Sequence, residues 1–453
     1  MGIFSSLSRQ QKEAVGLLQI GTFLEYFDLM LYVHMAVLLN ELFFPKTDPH
    51  TASLLTAFAF CSTYVLRPFG ALLFGYIGDH LGRKPTVILT TMMMALSCII
   101  MASLPTYAQI GIASAWIVTA CRIAQGLSSM GEIIGAEVYI TELVAPPAQY
   151  PVVSCVAVAS QVGTAFALGV AALVTHFGFN WRNAFWIGAA IAVIGTVART
   201  RLRETPEFLK KRQKIHKLIT AESKEKISKV MGVIKTQKLI NLEKMDRKTF
   251  WAYIAATPGW PLSFYLTYMY FNQTLKTNCG YTSENIIFHN FLLSIISLAV
   301  IVTIALMSYK TNPLKIVSMK GKASLVVMLL LPFCIANATS HIHIFILQAT
   351  LIVTAMSLVP GYSLFLKHIP ILRRFTTASF FYASSRAVTY VITSFSLVFL
   401  TDLLGYYGLW IIMLPVNIGF IWGVQHFEKL EKQQHNHAQV TSPEGLTELK
   451  IAV

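Results

Sequence analysis

The chain has 453 residues, of which 55% are apolar and only 13% charged, and its mean hydropathy is +0.59. Soluble domains carry roughly 25% charged residues, so this composition excludes an ordinary soluble protein and predicts a membrane protein. The formal net charge of +15 fits basic loops beside anionic lipid rather than binding of nucleic acid.

Twelve segments are candidates for membrane spans, because a helix needs about 20 mostly apolar residues to cross a bilayer. They begin near Ala14, Thr51, Pro85, Gly111, Tyr150, Asn183, Thr249, Glu284, Ala323, His341, Phe375 and Gly408. These segments do not alternate in polarity as the strands of a membrane barrel would. We therefore predict an all-α membrane protein with 12 transmembrane helices.

The loops indicate the orientation and the domain organisation. With the N-terminus inside, 29 of the 36 Lys and Arg residues fall on the cytoplasmic side, as expected for short cytoplasmic loops. We expect both termini on that side. Residues 201–248 hold 15 basic and 6 acidic residues, which predicts a cytoplasmic linker with amphipathic helices. It separates an N-terminal six-helix bundle (1–200) from a C-terminal one (249–425), which a short cytoplasmic tail follows (426–453).

Ionisable residues of both signs occur inside the first and fourth spans. Glu25 and Asp28 are three residues apart, hence on one helical face, and Arg122 has a similar depth in the fourth span. Each such group costs about 2.5–3.5 kcal/mol in a membrane unless paired or hydrated. Because burial disfavours a charged carboxylate and a nearby arginine favours it, these groups could load and release a proton. A static ion pair between the two spans is the alternative. Glu132 fits packing and proton relay equally well, and Glu137 is expected near the cytoplasmic interface.

The loop expected between spans two and three reads GYIGDHLGRK. Glycines permit a tight backbone in a short loop. Asp79 can cap a helix start or pair with a basic group of a neighbouring helix, and the basic pair anchors the cytoplasmic side. The residues of this motif are Gly75, Asp79, Gly82, Arg83 and Lys84. The corresponding loop of the second half, 308–322, keeps four lysines and no acid.

This loop motif resembles that of the major facilitator superfamily. The segments GTFLEYFDLMLY, CRIAQGLSSMGEIIGAE, WRNAFWI and ETPEF resemble its metabolite:proton symporter branch and, within that branch, the proline/betaine transporters most. The resemblance is close over residues 15–208 and fades beyond them. It implies two pseudo-symmetric six-helix halves around a midplane site. It also implies a conformational latch at the loop motif and proton coupling through Asp28 and Arg122.

Substrate-binding candidates come mainly from the second half. Arg386 lies near the middle of span eleven on a polar stripe with Tyr382 and Tyr390, and spans seven to twelve contain no deep Asp or Glu. An arginine can bind a substrate carboxylate with two hydrogen bonds, although pairing of Arg386 with Glu25 or Asp28, or capping of backbone carbonyls, is an equal alternative. Further candidates are Tyr265 and Tyr268 of span seven, whose rings could hold an alkylammonium or simply pack, and Gln161 of span five.

These observations favour a proton-coupled symporter that imports a small zwitterion, such as proline or glycine betaine, across a bacterial inner membrane by alternating access. A symporter of carboxylates, such as 2-oxoglutarate or citrate, is the nearest alternative and predicts that Arg67, Arg122 and Arg386 all line the cavity. Drug efflux and a non-transporting membrane sensor are weaker alternatives. The chain has no nucleotide-binding GxxxxGK[ST] loop, and we expect no enzymatic activity, no cofactor, no metal, and a monomer.

Overall fold

A computed structural model describes residues 6–43, 64–177, 180–200, 245–338 and 340–440. Twelve long helical elements occupy these ranges, and no strand occurs in them, so the predicted all-α fold class is confirmed. In chain order they are α1 Arg9–Phe43, α2 Arg67–His80, α3 Arg83–Ser103, α4 Ile112–Leu143, α5 Gln149–Phe177, α6 Trp181–Arg199, the interrupted α7 (Arg247–Ala256, Gly259–Phe264, Tyr265–Tyr270 and Phe271–Cys279), α8 Ser283–Met307, α9 Pro313–Ala336, the interrupted α10 (His341–Thr354 and Tyr362–Lys367), α11 Arg374–Leu404 and α12 Trp410–Val440.

Six helices of the described ranges are long and apolar enough to cross a membrane, judged by length and composition. They lie in α1, α3, α5, α8, α9 and α12. The predicted linker lies outside the described residues except at 245–248. Helix α12 continues to Val440, past the predicted start of the tail at residue 426.

The start of α9 differs from the prediction. Asn312 accepts a hydrogen bond from the Leu314 amide at 2.9 Å, and Pro313 occupies the first helical position. Such a cap and a proline at this position both favour a helix start. The helix therefore begins ten residues before Ala323, and the loop predicted at 308–322 is reduced to the few residues between α8 and α9.

The two halves repeat one packing pattern. In the first half α2 packs against α4 and α3 against α6, while in the second half α8 packs against α10 and α9 against α12. The two sets of pairs are related by a shift of six helices, although the sequence motifs hardly repeat. Between the halves, α2 packs against α11 and α5 against α8. The predicted pseudo-symmetric architecture is thus confirmed.

Glycine allows α2 to approach α11. A Cβ atom on Gly75 would lie 2.7 Å from the Thr376 Cα atom, so a larger residue would push the helices apart. The prediction that Gly75 belongs to a loop is therefore wrong, because α2 continues to His80. Only the turn at Gly82 remains, where φ is 124°, a conformation that favours glycine.

Candidate functional site

A cavity of about 110 Å³ lies between the two halves. Helices α1, α2, α4 and α5 of the first half and α7, α8, α10 and α11 of the second contribute to its wall. Sites for drug-sized ligands enclose roughly 300–1,000 Å³. This cavity therefore fits a small solute better than a drug.

Arg386 of α11 faces this cavity and is 8% exposed. Its guanidinium carbon lies 3.3 Å from the centre of the Tyr382 ring. Stacking on an aromatic face holds a guanidinium in place and leaves the N–H donors in its plane available to a ligand. The hydroxyls of Tyr382 and Tyr26 are 3.2 Å apart, so this arrangement also joins α11 to α1.

Most of the predicted substrate-binding side chains line the cavity. Tyr382, Tyr390, Tyr268 and Gln161 do so together with Arg386. Tyr265 does not: it packs in the apolar core. The reason is that residues 265–270 form a π-helix, in which each residue advances less around the axis than in an α-helix. Residues three apart then no longer share a face.

The break in α10 is a part of the wall that the sequence-based prediction missed. The chain is not α-helical between Thr354 and Tyr362, and Met356 and Ser357 of this segment line the cavity. Non-helical backbone is tolerated at membrane depth where it lines a cavity or is buried in protein. Here the Met356 amide donates to the Ser263 hydroxyl of α7 at 3.2 Å, which satisfies one of the released groups.

Glu137 of α4 is a second feature that was missed. It was expected near the cytoplasmic interface, but it is only 8% exposed and lines the cavity. Within the described part of the chain its Oε2 atom has no hydrogen-bond partner. Glu137 lies six residues before the end of α4 at Leu143, so its position near the cytoplasmic interface stays a prediction.

A much smaller pocket lies beside the cavity, inside the first half. Glu25, Arg67, Arg122 and Gln125 line it. Glu25 is fully buried, and Arg122 Nη1 donates to the Gln125 amide oxygen at 2.9 Å. The structure thus brings together the predicted acid of α1 and the predicted arginine of α4. Arg67 lines both this pocket and the central cavity.

Two of the predicted proton-coupling residues cannot be placed in the same way. The side chains of Asp28 and Glu132 lie outside the described part of the chain. Their backbones belong to α1 and α4. Their proposed roles stay predictions.

Asp79 joins the two halves at the end of the bundle where α2 and α4 end and α11 begins, which we call the latch end. Its carboxylate accepts hydrogen bonds from the amides of Phe375 (3.3 Å) and Thr376 (2.9 Å) and from the Thr376 hydroxyl (2.6 Å). These groups lie at the N-terminus of α11, where the helix dipole favours an anion. Lys84 of the motif is half-buried, and the Arg83 side chain lies outside the described part.

A buried ion pair supports the same closure. Arg374 Nη1 of α11 lies 3.3 Å from Glu142 Oε1 of α4, and both side chains are at most 5% exposed. The second segment of α10 also packs against α4 and α5. The two halves are therefore in contact at the latch end.

Comparisons with known proteins agree with this architecture. A family model described as Major Facilitator Superfamily matches residues 18–394. The inner membrane metabolite transport protein YhjE of Escherichia coli (strain K12) is 31% identical over 226 residues, which cover 48% of this chain and 49% of that protein. The proline/betaine transporter of Salmonella typhimurium is 30% identical over 204 residues, 44% of this chain and 41% of that protein.

The chain spans about half the length of these curated relatives. Among solved structures, the proton:xylose symporter XylE superposes with a TM-score of 0.73 at 14% identity, covering 92% of this chain and 95% of that one. This similarity extends the shared fold over both halves.

Proposed function

The chain belongs to the major facilitator superfamily, and we propose that it is a proton-coupled symporter that imports a small zwitterion such as proline or glycine betaine. The observation that carries this proposal is the position of Arg67 in the wall between the central cavity and the small pocket. The candidate substrate site therefore adjoins the small pocket, which is lined by one acid and two arginines. The named relatives, a metabolite transport protein and a proline/betaine transporter, support the substrate class.

In this proposal Arg386 binds the substrate carboxylate. Its stacking on Tyr382 orients the guanidinium plane, and a planar guanidinium can form two parallel hydrogen bonds to a carboxylate. The cavity-lining Tyr268 and Tyr390 offer aromatic faces to the apolar or cationic part of the solute. Gln161 supplies a neutral polar contact from the opposite half.

Proton coupling is assigned to the small pocket. Glu25 and Arg122 line it together, and Asp28 and Glu132 complete the proposed set. Protonation of a buried acid changes its attraction to a neighbouring arginine. Because Arg67 is common to both sites, such a change would reach the substrate site directly. The latch end faces the cytoplasm in this proposal, with both termini on that side and the protein acting as a monomer in a bacterial inner membrane.

A transport assay tests the proposal. Purified protein in proteoliposomes is supplied with labelled proline, glycine betaine, 2-oxoglutarate or citrate, with and without an outside-acid pH gradient. We expect accumulation of proline or glycine betaine that requires the gradient and disappears with a protonophore. Arg386→Ala should lower the apparent affinity at least about tenfold, as loss of a charged contact does, whereas the exposed Arg9→Ala is the matched control. Equal uptake with and without the gradient would contradict proton coupling.

Carboxylate symport is the second candidate, because Arg67 and Arg386 both line the cavity. It also predicts that Arg122 lines the cavity, but Arg122 lies in the small pocket. The same four solutes decide between the candidates. Uptake of citrate or 2-oxoglutarate without uptake of either zwitterion would favour the second.

A further inference from the structure

Glu137 is a buried acid that has no role in the proposed proton coupling through the small pocket. In the described lining of the central cavity it is the one carboxylate, beside the guanidinium groups of Arg67 and Arg386. Its Oε2 atom faces no hydrogen-bond donor among the described residues. A buried polar atom without a partner costs free energy, which a ligand with a positive charge would recover.

Glu25 does not line the central cavity. A cationic solute nitrogen could be expected to contact the acids of α1, but Glu25 lines the small pocket and not the central cavity. Glu137 and Arg386 also belong to opposite halves, on α4 and α11. A solute that contacts both charges would therefore hold the two halves together.

The spacing of the two charges along the bundle suits a small zwitterion. The Glu142–Arg374 ion pair brings α4 and α11 to a similar level at the latch end. Counted from this pair, Glu137 lies five residues and Arg386 twelve residues further along its helix. At 1.5 Å per residue the two differ in height by about 10 Å. A solute whose charges are two or three bonds apart, with an ionic contact at each end, spans a similar distance.

Aromatic groups line the same cavity as the acid. Tyr362 of α10 lines the cavity, and its hydroxyl accepts a hydrogen bond from the Tyr253 hydroxyl at 3.1 Å. Glu137 thus shares the cavity with Tyr362, whose hydroxyl already has a hydrogen-bond partner. A carboxylate beside aromatic side chains is a suitable environment for an alkylated ammonium group.

We infer that Glu137 is the anionic pole of the substrate site and receives the cationic nitrogen of a zwitterion whose carboxylate binds Arg386. This inference rests on the proposed function, since it assigns the second half of the same site. It identifies the substrate class as compact α-zwitterions with an alkylated nitrogen. It also makes Glu137 a specificity-determining residue.

Matched pairs of ligands test the inference. Glycine betaine is compared with 3,3-dimethylbutyrate, which has the same shape but no positive charge, and proline with cyclopentanecarboxylate. Direct binding to the purified full-length protein is measured by titration calorimetry. The unmodified protein should prefer at least one zwitterion over its uncharged partner by about tenfold or more, as expected for a charged contact.

The variants separate the two poles of the site. Glu137→Gln should remove this preference by weakening the zwitterion about tenfold and leaving the uncharged partner unchanged. Arg386→Gln should weaken both ligands of a pair, and the exposed Glu13→Gln should change neither. Glu137→Asp keeps the charge and should retain the preference, which guards against a variant that fails to fold.

The outcomes distinguish this inference from the proposed function. If the unmodified protein binds a zwitterion and Glu137→Gln keeps the full preference, the inference is wrong and the proposed function stands. The same holds if Glu137→Gln changes only the pH dependence of uptake, because Glu137 would then carry protons. If the unmodified protein binds citrate or 2-oxoglutarate but no zwitterion, both are wrong.

Discussion

Arg67 occupies the wall that separates the small pocket from the central cavity. It is 2% exposed, and its guanidinium carbon lies 4.5 Å from the centre of the Tyr64 ring. Stacking fixes the plane of the guanidinium but not the anion to which it is attracted. Arg67 is therefore placed to respond to Glu25 on one side and to the solute on the other.

The charge on Glu25 is the residue-scale basis of the proposed coupling, and its removal gives the first prediction. Glu25→Gln keeps the size of the side chain but cannot exchange a proton. We expect the variant to lose accumulation driven by a pH gradient while it still exchanges labelled for unlabelled solute across the vesicle membrane. Both activities are measured in proteoliposomes at equal protein content.

Glu13→Gln is the control for this prediction, since Glu13 is an exposed residue of the same helix. A Glu25→Gln protein that accumulates solute as well as the unmodified one would exclude Glu25 as the coupling group. Loss of both accumulation and exchange would indicate a structural role instead.

At the scale of elements, the contact between α2 and α11 is one of those that join the two halves at the latch end. Asp79 at the end of α2 accepts three hydrogen bonds from the start of α11, and Gly75 removes the steric obstacle to this approach. The acid and the glycine are four residues apart and so lie on one face of α2. The hydrogen bonds of Asp79 and the close approach at Gly75 thus hold the same two helices together.

Gly75→Ala should open the latch end. Its new Cβ atom would lie 2.7 Å from Thr376 Cα, a backbone atom that cannot move without moving α11. We expect a longer distance between spin labels placed at the exposed positions His80 and Lys432, measured by pulsed electron paramagnetic resonance in a background without native cysteines. The distance should stay unchanged in Gly16→Ala, because a Cβ atom on Gly16 has no neighbour within 4 Å. An unchanged distance in Gly75→Ala would contradict this role of the glycine.

Element boundaries show how far the sequence could predict the structure. Hydropathy and the sidedness of basic loops predicted the helical halves, and charges among apolar residues identified Glu25, Arg122 and Arg386. Hydropathy did not predict where α7 and α10 are interrupted. Pro332 lies inside continuous α9, whereas Pro360 lies in the break of α10. The difference depends on tertiary contacts that satisfy the released backbone, such as the Ser263 hydroxyl on the Met356 amide.

The positions of Glu137 and Tyr265 were also predicted incompletely because they depend on structure beyond the local sequence. The access of Glu137 to the cavity depends on how α4 packs against the second half, and the orientation of Tyr265 depends on a π-helical turn. Neither the packing of a helix nor its type follows from local composition.

For the whole molecule, the alternating access that we propose requires the latch end to open and close. The state described here is held by Asp79 and by the Glu142–Arg374 ion pair, both of which connect the halves. A solute that contacts Glu137 and Arg386 adds a third connection between them. Differential affinity of this kind is what lets a ligand shift a conformational equilibrium.

The Glu142–Arg374 pair gives a quantitative prediction at this scale. Breaking a buried ion pair by removing one partner leaves an uncompensated charge, at a cost of about 3–5 kcal/mol. Glu142→Gln and Arg374→Gln should each shift the protein strongly toward the state that is open at the latch end, where the remaining charge is hydrated. The double variant should shift it less than the sum of the two, because neither charge is then left alone.

The populations of the two states in this double-mutant cycle can be read from the distance distributions between labels at positions 80 and 432. Glu13→Gln is the control, since Glu13 is an exposed residue of α1. Strictly additive single shifts would mean that Glu142 and Arg374 act on opening independently. In that case each residue would stabilise the closed latch end through other contacts, and the ion pair itself would not contribute.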